Sequence, residues 1–337
     1  MKDFILKQES LTRDKRIYLA AKAYAKENRF LSWFHLLIVI VCVIGSYLIL
    51  FFNSNIIILF SFSFLLSLLL VRFFVIYHDF VHKAILQNSR TSTFIFTCFG
   101  LFILAPISIW QRSHNHHHQN NSRLDSPGIG SFPVMTKNDY VNSTRTKRYS
   151  YLSARHSFTI LFGYLFTFIL GMCLRSLFYN YRKHGDSLVA LIVHGVLGWV
   201  IFNYAGIGSF ILAFLMPALI SSCIGSYLFY AQHNYPGVVL YLRGTWSHYR
   251  AAIESSSYIK MNPVMEWFTG NIGYHHIHHL NAAIPFYNLP KVYKAIPELR
   301  IDHDSTLHPF DVWRCLRLKV WDQSLNKMVG LRDFQLK

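Results

Sequence analysis

The chain has 337 residues, 53% hydrophobic and 17% aromatic but only 15% charged, with a formal net charge of +17. That balance is too apolar for an ordinary soluble domain and points to the bilayer. The positive residues flank apolar stretches, and no basic aromatic module accompanies them. They fit a cytoplasmic membrane surface facing anionic headgroups and argue against a nucleic-acid partner.

Residues 1–30 mix eight Lys or Arg with four Asp or Glu. Ile17, Ala20, Ala21 and Tyr24 fall at helical spacing, which predicts an amphipathic helix on the membrane surface, with a plain solvated helix as the competing reading. The charge runs through the segment with no short apolar core, so no signal peptide is expected.

Residues 31–52 and 56–77 are each apolar and long enough to span. The uncharged Asn53-Ser54-Asn55 between them predicts a helical hairpin open to the positive, cytoplasmic side. Arg72, near the end of the second span, is expected to snorkel towards headgroups. His78-Asp79-Phe80-Val81-His82 follows at once as an HxxxH box. Residues 94–110 are apolar and hold Pro106 in their last turn. Lying between two histidine boxes, they must begin and end on one side, so they are read as interfacial or re-entrant. The second box is His114-Asn115-His116-His117-His118, with HxxHH at His114, His117 and His118.

Residues 157–178 are long enough to span, yet Arg145, Lys147, Arg148 and Arg155 precede them and Arg175, Arg182 and Lys183 follow. Positive charge at both ends places both ends in the cytoplasm. Residues 188–204 and 207–230 then form a second hairpin turning at Ala205-Gly206. This returns the chain to the cytoplasm before the third box, in Gly270-Asn-Ile-Gly-Tyr-His-His-Ile-His-His279.

The expected architecture is an all-α integral membrane protein with four transmembrane helices in two hairpins. Interfacial helices and a cytoplasmic helical cap complete it. Residues 1–30 form a cytoplasmic N-terminal segment, 31–300 the membrane domain and 301–337 a cytoplasmic tail.

In the third box, His275, His278 and His279 lie three and four apart, on one helical face, so the three imidazoles can converge. Imidazole is the commonest side-chain metal ligand. The three boxes offer eight such rings, too many for one ion with four to six ligands, so two ions are implied. His116 and His276 sit one helical step off the ligand face and are read as neighbours of the site or solvent-facing. Asp79 is placed to orient an imidazole through its other nitrogen, or else is an ordinary helix-surface acid. His35, His156, His184, His194, His248, His303 and His308 match no box and are read as structural. Cys42, Cys98, Cys173, Cys223 and Cys315 are far apart with no CxxC pair, so neither disulfide nor iron–sulfur chemistry is suggested.

The boxes as they stand, HDFVH, HNHHH and HHIHH, with the string WFTGNIGYHHIHHLNAAIP from Trp267 to Pro285, resemble the membrane-bound three-histidine-box fatty acid desaturases. The resemblance runs over about residues 30–300 and is strongest to bacterial acyl-lipid desaturases of the delta-12/omega-6 type. Tyr230-Ala-Gln-His-Asn234 resembles the segment that supplies a further histidine there. The resemblance implies iron ligands at His78, His82, His114, His117, His118, His233, His275, His278 and His279. It implies a di-iron centre that activates O2 and removes two hydrogens from a fatty acyl lipid or acyl thioester. It also implies a multi-pass protein of a bacterial inner membrane with its active site on the cytoplasmic face. No heme module or cysteine set is visible, so electrons come from a separate ferredoxin or cytochrome b5-like donor. Trp110, Trp199, Trp246, Trp267, Phe268 and Tyr274 are candidates to line an acyl tunnel, with core packing or an interfacial aromatic belt as the competing role for each. Two alternatives stay open. One is a related three-box hydroxylase, ketolase or alkane monooxygenase. The other is a metal carrier, which would place its ligands inside the spans.

Overall fold

The structure is a computed structural model that describes residues 2–126, 128–301 and 304–333, with the side chains of 2–11 and of 304 left aside. His303 lies outside the described residues.

Helix α1 (Lys2–Lys22) leads into α2 (Arg29–Phe52) and α3 (Ile56–Val81), both long and apolar enough to cross a membrane. Each starts where an asparagine carbonyl takes orphan amide protons: Asn28 from Leu31, and Asn55 from Ile57 and Ile58. The expected Asn53–Asn55 turn separates them. Helix α3 is the most enclosed of the apolar helices, packed against α2 and against α11, described below.

Helices α4 (Arg90–Phe102) and α5 (Ile107–Asn120) meet at 89°. Leu104 takes a positive φ of 61° at the break, and Pro106 caps α5 because it has no amide proton to lose. The apolar segment is therefore bent at a right angle and is either a broken span or the re-entrant loop expected from the sequence. Short helices α6 (Lys137–Asn142) and α7 (Arg145–Ala154) follow. The ambiguous stretch 157–178 is broken into α8 (Ser157–Leu161), a π-helical run Tyr164–Leu174 and α9 (Arg175–Tyr179). Its continuous apolar part, Tyr164–Tyr179, is shorter than a full crossing.

Helix α10 (Gly185–Ser209), a π-helical run Phe210–Leu215 and α11 (Met216–Ala231) form one apolar stretch broken at Gly206, whose φ of 79° and ψ of 174° no helix tolerates. Across that break Phe202 meets Phe210 at 5.9 Å between ring centres, and His194 meets Phe214 at 4.6 Å. The chain doubles back at Gly206, close to the expected turn. Three helical stretches are thus apolar and long enough to cross a membrane, and a fourth if the bent α4–α5 pair is counted as one. The fold is that of a mostly helical membrane protein.

The polar layer holds α12 (His248–Glu254), α13 (Pro263–Phe268), α14 (His275–Leu280), α15 (Leu289–Ala295) and α16 (Pro309–Arg317). It also holds four strands the all-α expectation did not include. Strand β1 (Tyr258–Lys260) pairs in parallel with β2 (Asp304–Thr306), and β3 (Val320–Asp322) pairs antiparallel with β4 (Lys327–Val329). Each has three residues, too few to display an alternation. Residues 304–333 are stitched into the layer: Asn234 donates to the Cys315 carbonyl at 2.7 Å, and Trp321 N–H to the Met135 carbonyl at 3.0 Å.

Two expectations are corrected here. Helix α1 turns its apolar stripe into the fold and not outward to a membrane surface. Ile17 and Ala21 are buried against Ala252, Tyr258, Ile277 and Val292, while Ala20 faces out. The apolar stripe covers the layer that carries the third box. Nor does Arg72 snorkel: it is 2% exposed, donating to the Trp267 carbonyl and 3.1 Å from His35 Nδ1, with its guanidinium 4.0 Å from the Trp267 ring centre. A carbonyl and a π-face inside the fold replace the headgroups.

Helix α11 is held close to α8 by Gly163, where an added Cβ would stand 2.5 Å from Ser226 Cβ and 2.8 Å from the Ser222 carbonyl. Gly163→Val is expected to cost about 1–3 kcal/mol through overpacking. Gly225→Val, which meets nothing within 4 Å, serves as the control. The check is the thermal midpoint of both variants in one detergent, and equal midpoints would refute the close contact.

Candidate metal centre

Four chain segments aim histidines at one region. The last turn of α3 brings His78, and His82 caps that helix. Helix α5 brings His114, His117 and His118, and α14 brings His275, His278 and His279. His233 stands just beyond the end of α11.

The nine rings form two groups. His78, His82, His114, His118 and His278 place one nitrogen each within 4.8 Å of one another, and so do His117, His233, His275 and His279. In the first group His78 and His114 meet Nε2 to Nε2 at 2.8 Å, His114 and His118 at 3.2 Å, and His118 and His278 at 3.1 Å. In the second, His117 meets His233 at 3.0 Å and His279 at 3.2 Å, while His275 meets His233 at 2.9 Å and His279 at 3.1 Å.

The expectation that one HxxHH box converges on one point is corrected by this split. Box two gives His114 and His118 to the first group and His117 to the second. Box three gives His275 and His279 to the second and His278 to the first. Neighbouring helical positions diverge by about 100°, so the i, i+4 pair leans to one side and the i+3 ring to the other.

Metal–nitrogen bonds of about 2.1 Å put cis ligands about 3.0 Å apart on an octahedron. The observed Nε2 separations lie there. A neutral imidazole has one acceptor nitrogen and one donor, so several Nε2 atoms facing one another cannot all be satisfied by shared protons. A cation in each group matches those lone pairs, so the residues present suit metal.

The outer nitrogens fix which nitrogen faces in. His78 Nδ1–H donates to Asp79 Oδ1 at 3.2 Å, and Asp79 Oδ2 accepts the Phe286 amide at 2.7 Å. His117 Nδ1 stands 2.6 Å from Ser131 Oγ, and His233 Nδ1–H donates to the Ser255 carbonyl at 3.0 Å. Ser131 reaches α5 because Gly130 precedes it. A Cβ there would stand 2.1 Å from the Ser113 carbonyl, at a φ of 70°. Burial, and after it the neighbouring imidazoles, hold His275, His278 and His279 well below the ordinary histidine range. Burial takes His233 down to about 4. These rings are neutral at pH 7, the form that binds metal.

The remaining histidines stand apart. His276 is fully buried between Tyr258 and Tyr293 and donates away from the groups, to the Leu299 carbonyl at 2.9 Å. His116 meets the Ile129 carbonyl at 3.3 Å. His194 accepts from Tyr164 and donates to the Phe102 carbonyl, tying α10 to α4. His35 meets Arg72, His184 lies 3.4 Å from Ser108 Oγ, and His248 meets the Leu280 carbonyl. His156 and His308 cap α8 and α16.

Of the six aromatics suggested for a tunnel, Trp110 is the one that stacks on a grouped ring, His114, at 4.7 Å. Trp199 is 61% exposed on α10. Trp246 donates to the Asn121 carbonyl, Trp267 underlies Arg72 with Phe268 beside it, and Tyr274 stacks on Tyr258. The sequence reading missed Phe229, 5.3 Å from His117, and with it a cavity of ≈ 140 Å³ beside His117 and His233. It also took Arg155 for a flanking surface charge. Arg155 is 1% exposed and donates to the Pro133 carbonyl, Tyr230 Oη and Asn234 Oδ1, fixing the segment that carries His233. The serine and carbonyl partners carried no sequence signal beyond the glycines before Ser131.

The family model described as fatty acid desaturase matches residues 54–311. A fatty acid desaturase of Bacillus subtilis is 29% identical over 78% of this chain and 74% of its own. An sn-1 oleoyl-lipid 12-desaturase of Picosynechococcus is 24% identical over 80% and 78%. A chloroplastic omega-6 fatty acid desaturase of Spinacia oleracea is 25% identical over 73% and 54%. With the family match over most of the chain and histidine groups that suit metal, the chain belongs to the fatty acid desaturase family and is an oxidoreductase that desaturates fatty acyl chains.

Proposed function

We propose that the chain is an acyl-lipid desaturase that works on the cytoplasmic face of a bacterial inner membrane with two irons. His78, His82, His114, His118 and His278 hold one, and His117, His233, His275 and His279 hold the other. The observation that supports this best is the sorting of nine buried or half-buried imidazoles into two groups, with Nε2 pairs at octahedral-edge spacing. When bound, the irons would supply O2 activation: O2 would be reduced to two waters by two hydrogens from the acyl chain, two electrons from a ferredoxin or cytochrome b5-like donor and two protons from solvent.

The protein's own part is positioning and exclusion of water. Asp79, Ser131 and the Ser255 carbonyl hold His78, His117 and His233 with Nε2 inward. Trp110 and Phe229 set apolar walls against His114 and His117. Helices α10 and α11 count as two spans, divided at Gly206, so the spans are about 31–52, 56–77, 188–204 and 207–230. Four spans keep all three boxes on one side. Residues 31–300 form the desaturase body between a 1–30 segment and a 301–337 tail. The carrier is a membrane lipid, in keeping with the oleoyl-lipid relative.

Lipids from a host expressing the chain should contain new double bonds, read by gas chromatography with mass spectrometry. A product that gains oxygen instead would make the enzyme a hydroxylase.

Purified protein should carry about two irons per chain. Elemental analysis giving one ion in an active chain would end the two-iron reading. His278→Ala, His82→Ala, His117→Ala and His275→Ala should each abolish desaturation while the protein still inserts. Asp79→Asn should cost about 10- to 100-fold in metal affinity or activity. His276→Ala should keep substantial activity per inserted chain, since its ring bonds away from the groups. An indispensable His276 beside a dispensable His278 would show the assignment to be wrong.

In a Cys98→Ser background, an impermeant thiol reagent applied from outside should label Ser54→Cys and Tyr204→Cys but not Tyr181→Cys. Outside labelling at position 181 would make residues 157–178 a crossing.

A further inference from the structure

Helix α16 leaves one face uncovered. Phe310 and Trp313 are 58% and 52% exposed and stack at 5.8 Å, while Cys315 and Leu316 on the opposite face are buried. Between α16 and the start of α8 lies an open groove of ≈ 650 Å³, lined chiefly by Ser157, Leu307, Val312, Trp313, Leu316 and Lys319. That volume is within the range of about 300–1,000 Å³ typical of ligand sites. It is no part of the histidine site.

Two features identify the occupant. The first is continuity with the apolar surface of the helical body. Next to Ser157 of the groove, Phe158 of α8 and Phe162 at its end are 51% and 45% exposed and stack at 4.3 Å, and Leu165 carries the exposed surface on. Helix α16 packs against α11, at the end where that apolar helix meets the polar layer. Tryptophan and arginine on an amphipathic helix at that level are the usual anchors of the membrane interface.

The second feature is the charge at the rim. Asp311 pairs with Arg314 at 3.6 Å, and Asp333 with Arg317 at 2.7 Å. Lys319 has no carboxylate within ion-pair distance among the described residues; its ammonium gives one proton to the Arg155 carbonyl and keeps two more to offer. Burial, then the Arg155 charge, draws Lys319 down to about 8, which a neighbouring anion would reverse. Apolar walls beside one uncompensated cation, opening onto the bilayer-facing surface, suit a phosphodiester joined to a hydrocarbon chain.

We propose that the α16–α8 groove seats one phospholipid of the adjoining leaflet, with an acyl chain along Leu307, Val312 and Leu316 and its phosphodiester on Lys319. The lipid seals the seam between the apolar helices and the polar layer.

The experiment uses the full chain in two settings. In detergent, native mass spectrometry counts retained phospholipid on wild type, Lys319→Gln, Lys319→Arg and Val312→Trp. Wild type and Lys319→Arg should hold one lipid more firmly than the rest. Lys319→Gln should weaken its retention about fivefold, and Val312→Trp should exclude it by filling the groove. Thermal midpoints identify any variant that has merely unfolded. In nanodiscs, the fluorescence of Trp313, taken as wild type minus Trp313→Phe, should be quenched by doxyl-labelled phosphatidylcholine as strongly as that of Trp199. Retention unchanged in folded Lys319→Gln or folded Val312→Trp overturns the site. So does an unquenched Trp313, the result expected if a protein partner or water occupies the groove.

Discussion

Nine imidazoles brought together, six buried and three half-buried, in an apolar fold present a problem of lone pairs. Seven Nε2–Nε2 approaches fall between 2.8 and 3.2 Å. Protonation would relieve the lone pairs but would place several positive charges side by side in a desolvated site. A bound cation relieves them without that repulsion. The surrounding scaffold therefore has to hold these rings where the free side chains would not choose to be.

One face of α3 meets much of that demand. Arg72 and Asp79 are seven residues apart, two helical turns, and so lie on the same face. Both reach the segment that flanks the third box, Arg72 at the Trp267 carbonyl and the Phe286 ring, Asp79 at the Phe286 amide. Asp79 turns its other oxygen to His78. One carboxylate thus couples the first box to the chain beyond the third. Removing it would strand a buried amide as well as free an imidazole.

The spans were readable because twenty apolar residues in a row admit few interpretations. Gly206 was readable as a turn for the same reason: it interrupts the one apolar run too long for a single crossing. The boxes were readable as metal chemistry from spacing. Their split between two sites was not, because i, i+3 and i+4 share a broad face and only the packing angles decide which ring leans where. Arg72 was misread because a position near a span end says nothing of the carbonyl and rings supplied by residues two hundred positions away. Helix α1 was misread likewise: its apolar stripe is real, but the surface it meets is built from residues 252–292. The strands left no trace, being three residues each, with β1 and β2 paired across a long interval and β3 and β4 in a hairpin too short to show an alternation.

Two guanidinium groups lie buried on either flank of the histidines, and no carboxylate pairs with either among the described residues. A buried charge with no counter-charge is costly unless fixed dipoles solvate it. Arg155 takes carbonyls from Pro133 and Leu318 together with Tyr230 and Asn234, four points from three separate stretches. Arg72 takes the Trp267 carbonyl, His35 and two aromatic faces. A planar fork with five donors can gather that many acceptors in one plane, where an ammonium cannot. Each guanidinium binds stretches distant in sequence at a place where a histidine-bearing segment must not drift. An apolar replacement could fill the volume but would take the guanidinium partner from the Pro133 carbonyl and Asn234 Oδ1 and would loosen the ties among these stretches, which offsets part of the cost of burying the charge.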